Sequence, residues 1–167
     1  MKTIRKNNYS AIILITSLLF FQCSDDGDNK KENDNNTGDS NTVIINDNGS
    51  GTGTRTWHSD SIYVLDGFVY VNSGQTLTIE PGTVIKGKPG QGSDASALIV
   101  ARGAKIKAEG KKDNPIIFTA ESDDLDGNVS VNSRGLWGGV IILGSAQLNS
   151  TPGKTQIEGI PTSETRG

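Results

Sequence analysis

His58 is the only histidine in the chain, and Ser59 and Asp60 follow it directly. The residue types of a nucleophilic triad are thus present, but their spacing forbids the chemistry. Neighbours on an extended strand point to opposite faces, so three consecutive residues cannot pass a proton among themselves. His58 is expected at an exposed edge. A second group lies in ESDDLDGN, residues 121–128. Asp124, Asp126 and Asn128 place oxygens at alternate positions, as a loop does when it wraps calcium. Val129 and Gly135 stand where a standard calcium loop has its glycine and its glutamate, which excludes an EF-hand and leaves a looser calcium turn as the candidate. No cofactor other than calcium is suggested. Trp137, ahead of two glycines, is either a flat face for a sugar ring or the buried first residue of a strand. Lys105 and Lys107 flank Ile106 and share the opposite strand face from it. With Lys111 and Lys112 they read as a solvated side, with a polyanion contact as the alternative. No pair of carboxylates recurs at fixed spacing on one strand face, as a general acid and base require. No catalytic residue is assigned.

The elements that would carry these residues are short and β-rich. IYVL, FVYV, TLTI, TVIK, ALIVA, AKIKA, PIIFT and GVIIL are mostly separated by Gly, Pro, Asp or Asn. No window has a 3.6-residue apolar period, so no helix is expected after residue 57. Glu80-Pro81-Gly82-Thr83 fits a type II turn, in which Pro81 presets its own φ and Gly82 takes the positive φ. One spacing recurs. Val69, Val71, Gly74 and Leu77 are matched by Leu98, Val100, Gly103 and Ile106. Val140, Ile142, Ser145 and Leu148 match them again. A strand-turn-strand unit that repeats with loops of variable length predicts an all-β solenoid. A β-sandwich is the alternative, because Asp66-Gly67 between alternating hydrophobics is also a strong hairpin signal. In a solenoid the same dipeptide is a corner.

Bulk composition agrees with a turn-rich fold. Glycine is 21 of 167 residues, against an average usage of roughly 7%. The net charge of -3 gives no reason to expect nucleic-acid binding. The one cysteine, Cys23, excludes an internal disulfide framework.

The first residues are an address. Lys2, Arg5 and Lys6 precede an apolar run over residues 11–21. A membrane span needs about 20 residues, whereas a signal peptide needs a shorter apolar run. Cys23 follows at once, in LLFFQCS. This resembles a bacterial lipoprotein signal, with Phe20 and Gln22 where the usual signal has a leucine and a small residue. The resemblance implies cleavage after residue 22, lipid on Cys23 and an outer-membrane lipid as a partner. Ser24, Asp25, Asp26 and Asp28 resemble the acidic export signal of Bacteroidetes surface lipoproteins, interrupted by Gly27. That implies an outer-membrane, surface-exposed location. Residues 23–56, poor in large apolar side chains, are expected to be a disordered tether. Within them NTVIIND is a short apolar island. Asp60-Ser61-Ile62 resembles a short O-glycosylation acceptor.

The segments from TWHSDSIYVLDGFVYVNSGQTLTIEPGTVIKG to GLWGGVIILGSAQLN resemble a family of secreted or lipidated Bacteroidetes proteins. These carry a right-handed parallel β-helix of the pectin-lyase-like type. The resemblance implies a fold and an address, and no reaction. The domain is expected over residues 57–167. Residues 155–160 are expected to form a further strand. No capping element follows, so the sequence is expected to be the N-terminal part of a longer protein. The role expected is adhesion, glycan binding or scaffolding, with polysaccharide or another surface protein as partner. A polysaccharide lyase or glycoside hydrolase on the same fold is the alternative.

Overall fold

Alternation of apolar and polar residues over four to six positions yields strands rather than helices, and the computed structural model has ten of them among the described residues. It describes residues 41–153 and 155–166. The signal peptide, Cys23, the residues Ser24, Asp25, Asp26 and Asp28, and the tether as far as residue 40 lie outside the described residues.

The strands are β1 (Asn41–Asn46), β2 (Arg55–Trp57), β3 (Ser61–Asp66), β4 (Phe68–Val71), β5 (Thr76–Ile79), β6 (Val84–Gly87), β7 (Ala97–Val100), β8 (Lys105–Ala108), β9 (Ile117–Ala120) and β10 (Gly139–Ile142). They form three sheets, ordered β1-β3-β6-β9, β4-β7-β10 and β2-β5-β8. Every strand pair in them is parallel. Consecutive strands therefore lie in different sheets, and each sheet gains one strand per turn of the chain. This is a parallel β-helix. The sandwich is excluded, and Asp66-Gly67 is a corner between the first two sheets, with Gly67 at φ 83°.

The recurring spacing in the sequence is the register of the coil. Val69 pairs with Leu98, which pairs with Val140; Val71, Val100 and Ile142 form the next row. Leu77 pairs with Ile106 in the third sheet, and the Gly74 N–H donates to the Gly103 carbonyl at 3.0 Å. Trp57, Tyr63, Leu65, Val69, Val71, Leu77, Ile79, Ile85, Leu98 and Val100 form one buried core, and Val43, Ile45, Ile106, Phe118 and Trp137 pack against it. Removing such a side chain from water is worth about 1.5–3 kcal/mol. The expected turn at residues 80–83 is formed as well. Thr83 N–H donates to the Glu80 carbonyl at 3.2 Å, and Gly82 has φ 88°.

Two expected boundaries are corrected. Residues 41–56 are not tether: β1 pairs with β3, and β2 with β5. Val43 and Ile45 alternate in phase with the core, so this stretch can bury enough apolar surface to order. Residues 155–160 are not a strand among the described residues. Ile160 packs instead on the outer face of the second sheet, beside Tyr70, Ile99 and Ile141. The third copy of the repeat is likewise half realised, because Leu148 belongs to no strand and is 42% exposed.

The three outer faces differ in chemistry. On the third sheet Thr76 and Thr78 align with Lys105 and Lys107, giving a polar face. On the first, Ile62, Val84 and Ile117 form a half-buried aliphatic row. On the second, the apolar row of Tyr70, Ile99 and Ile141 is met by the chain's own last segment.

Candidate loop-bearing corner

The corner between the first and second sheets is Gly67 alone after β3. It is residues 88–96 after β6 and residues 121–138 after β9. The two longest insertions thus share one corner and lengthen from coil to coil, while the corner between the third and first sheets grows less, from residues 58–60 to 80–83 to 109–116. They leave the stacking intact because their base is hydrogen-bonded. Gly67 N–H donates to Ser96 Oγ at 3.1 Å. Ala97 N–H donates to the Gly67 carbonyl at 3.2 Å, and Gly138 N–H to the Ser96 carbonyl at 2.7 Å. Ser96 is buried, so its side chain and backbone act as the post on which both loops turn.

Further contacts fix the loops to the first sheet. Lys88 Nζ lies 2.9 Å from Asp66 Oδ2, and that hydrogen bond raises the lysine pKa. Lys86 Nζ donates to the Asp123 carbonyl. Thr119 Oγ1 donates to Asp123 Oδ2 at 2.6 Å. The Thr119 hydroxyl, followed by the Leu125 N–H, holds the Asp123 carboxyl below its usual range. Between the loops is a cleft of about 300 Å³ lined by Pro89, Gln91, Glu121, Ser122 and Leu136 among others. It combines an apolar wall with an amide, a carboxylate and a hydroxyl, groups that exchange hydrogen bonds with polyol ligands.

The residues singled out in the sequence fall as follows. Asp124 and Asp126 are exposed in the first half of the longer loop, as is Asn128. Asp124 Oδ1 accepts the Asp126 N–H at 3.0 Å, and Asp123 Oδ1 accepts the Leu125 N–H at 2.9 Å. These carboxylates close backbone turns, which lets Leu125 hold φ 70°. Among the described residues no three His, Cys, Asp or Glu side chains come together to hold a metal ion. Trp137 is half-buried at the foot of the loop, with its indole against Gly87 and the core. Trp137 thus packs on the core from within the loop, two residues before β10 begins at Gly139.

His58 Nδ1 lies 3.2 Å from Glu80 Oε2, and both side chains are largely exposed. Ser61 Oγ, not Ser59, donates to Asp60 Oδ1 at 3.0 Å, so the His58-Ser59-Asp60 trio assembles no triad. Lys105 and Lys107 point outward from β8 and are exposed. Lys111 and Asn114 close a small turn by exchanging backbone hydrogen bonds at 3.1 and 3.0 Å.

Sequence reasoning missed Ser96, Asp47 and Arg166. Ser96 carried a signal, since it immediately precedes the repeated ALIV strand at the position where the previous coil has Gly67. Asp47 and Arg166 carried none, because their roles depend on each other across most of the domain.

A family model described as a pectate-lyase like beta helix domain matches residues 49–164. No curated protein matches, and no solved structure matches.

Proposed function

Starting from a chain that belongs to the pectate-lyase-like beta-helix family, we propose that it is a lipid-anchored surface protein that binds glycan at the loop-bearing corner. The observation that carries this is the placement of the insertions. A solenoid tolerates loops at any corner, yet residues 88–96 and 121–138 share one. They enclose a cleft with Gln91, Glu121 and Ser122 beside Pro89 and Leu136. Polar groups converging on an apolar wall are how a rigid scaffold orients a small ligand. The nearby carboxylates of Asp123 and Asp124 are engaged in loop turns, which favours a rigid binding surface over acid-base chemistry.

In this proposal Cys23 carries the lipid, and Ser24, Asp25, Asp26 and Asp28 direct the protein to the outer face of the outer membrane. The segment up to residue 40 holds the β-helix away from the bilayer.

The test is affinity electrophoresis of the mature chain through gels containing a panel of acidic and neutral polysaccharides, with product sizes followed in parallel. Retention by at least one polysaccharide of unchanged length, weakened in Gln91→Ala/Ser122→Ala, supports glycan binding. New unsaturated or reducing ends would replace it with a lyase or hydrolase. Migration unaffected by every polysaccharide would overturn the glycan reading.

A further inference from the structure

The last described segment extends no sheet. It runs along the outer face of the second sheet to the first coil, where Arg166 secures it. Arg166 Nη1 lies 2.7 Å from Asp47 Oδ2, and its Nη2 lies 2.7 Å from Glu164 Oε2. The Arg166 guanidinium carbon is 3.9 Å from the centre of the Tyr70 ring. Ile160 packs on the same face. Residues 155–166 are therefore a strap held down at its end by charge-assisted hydrogen bonds and by a cation over an aromatic ring.

Under the strap is a cavity of about 440 Å³, bounded on the sheet side by Tyr70 and Leu143 and on the strap side by Ile157, Ile160 and Glu164. Ligand sites in proteins span about 300–1,000 Å³ and are mostly apolar with a few polar groups. The polar group here is unusual. Tyr70 is only 1% exposed, and among the described residues its hydroxyl has no hydrogen-bond partner. Burial, then the Glu164 charge, pushes its pKa up to about 12, so the hydroxyl remains neutral. The Arg166 and Glu164 charges are paired with each other. The exposed Arg102 also lines the cavity.

We propose that this cavity binds a small uncharged molecule with an apolar body and one hydrogen-bonding group that meets the Tyr70 hydroxyl, and that the Arg166–Asp47 latch closes the strap over it. The site is separate from the loop-bearing corner and does not depend on it.

The probe is N-phenyl-1-naphthylamine, a neutral aromatic amine whose fluorescence rises on leaving water, titrated into the full mature chain. A saturable rise at one equivalent is expected. Tyr70→Phe keeps the ring and should weaken binding about three- to tenfold, the worth of one neutral hydrogen bond. Ala146→Trp and, separately, Thr155→Trp fill the cavity from its two sides and should abolish the signal while thermal melting stays cooperative. Arg166→Ala should speed dye release in stopped flow. Absence of a saturable signal overturns the site. So does saturation unchanged in Tyr70→Phe and in whichever filling variant melts cooperatively, which would place the dye on the exposed side chains of Val140 and Ile142. An unchanged release rate in Arg166→Ala overturns the latch.

Discussion

The Trp137 indole lies directly over Gly87, an inward-facing position that pairs with Leu65 on one side and Ala120 on the other. A Cβ added at Gly87 would come within 2.9 Å of the Trp137 Cβ and closer still to the ring. The row therefore narrows from Ile45 and Leu65 to Gly87 and Ala120, so that the indole at the foot of the longer loop can close the core. Gly87→Ala should cost about 1–3 kcal/mol through overpacking. In the background of Trp137→Leu the same change should cost much less. Urea denaturation of the four proteins in this cycle checks it, and additive costs would show that the two residues do not touch.

The same register with different burial gives a second test. Leu98 and Ile142 both face inward on the second sheet, in adjacent rows, but Leu98 is 0% exposed and Ile142 is 66% exposed. Leu98→Ala should destabilise by about 2–5 kcal/mol, a transfer cost plus a cavity cost. Ile142→Ala should stay within about 0.5 kcal/mol, as an exposed position does. Equal costs would mean that the last coil is covered, contrary to the arrangement of β10.

These contrasts show where the sequence was informative. The β-helix was legible because stacking forces one residue per coil into one row. Val69 with Leu98 and Leu77 with Ile106 could be paired by spacing alone. The corner at Asp66-Gly67 and the turn at Pro81-Gly82 were legible because few residues accept positive φ. The start of the domain was misplaced, because NTVIIND sits among polar residues and its partner strand lies a full coil away. The loop-bearing corner was visible only as irregular intervals between copies, and those intervals do not say which corner takes the insertion. The strap was mistaken for another strand, because Ile157 and Ile160 fit an apolar pattern whichever surface they meet.

The latch should respond to acid. Glu164 is held at about 2, chiefly by its hydrogen bond from Arg166, against an ordinary value of 4.5. A carboxyl with a lowered folded pKa contributes stability above its unfolded pKa and loses it as pH falls toward the folded one. Strap protection should therefore be full above pH 4.5 and disappear between there and about pH 2. In hydrogen exchange, residues 155–166 should lose protection across this window in the native chain. Glu164→Gln should show weaker protection at neutral pH and little further change on acidification. A native strap whose protection is flat across the window would remove Glu164 from the latch.

The address makes its own prediction. Cys23 follows the apolar run of residues 11–21 directly and is the only cysteine. Cys23→Ala should abolish incorporation of labelled fatty acid, and continued labelling would end the lipoprotein reading. Replacing Asp25, Asp26 and Asp28 with alanine should leave lipidation intact while protecting the protein from protease added to whole cells. Unchanged cleavage would leave that stretch a plain spacer.

Asp47 and Arg166 should not be equivalent, although they form one ion pair. The Asp47 side chain is fully buried, and its carboxylate also organises backbone. Oδ1 accepts N–H groups from Gly49 at 2.7 Å and Gly51 at 3.1 Å. Oδ2 accepts the Tyr70 N–H at 2.9 Å. The Tyr70 bond reaches from the first coil to the second sheet, so Asp47 ties the entry of the β-helix to its neighbour whether or not the strap is closed. Arg166→Ala removes one partner and lets the strap end move into solvent, which limits its cost to about 1 kcal/mol. Asp47→Ala leaves those donors and the guanidinium without their acceptor, and it should cost about 3–5 kcal/mol. In the Arg166→Ala background the Asp47→Ala cost should fall only slightly, since most of it belongs to the backbone donors. A double variant no less stable than Arg166→Ala alone would show that Asp47 serves only the latch.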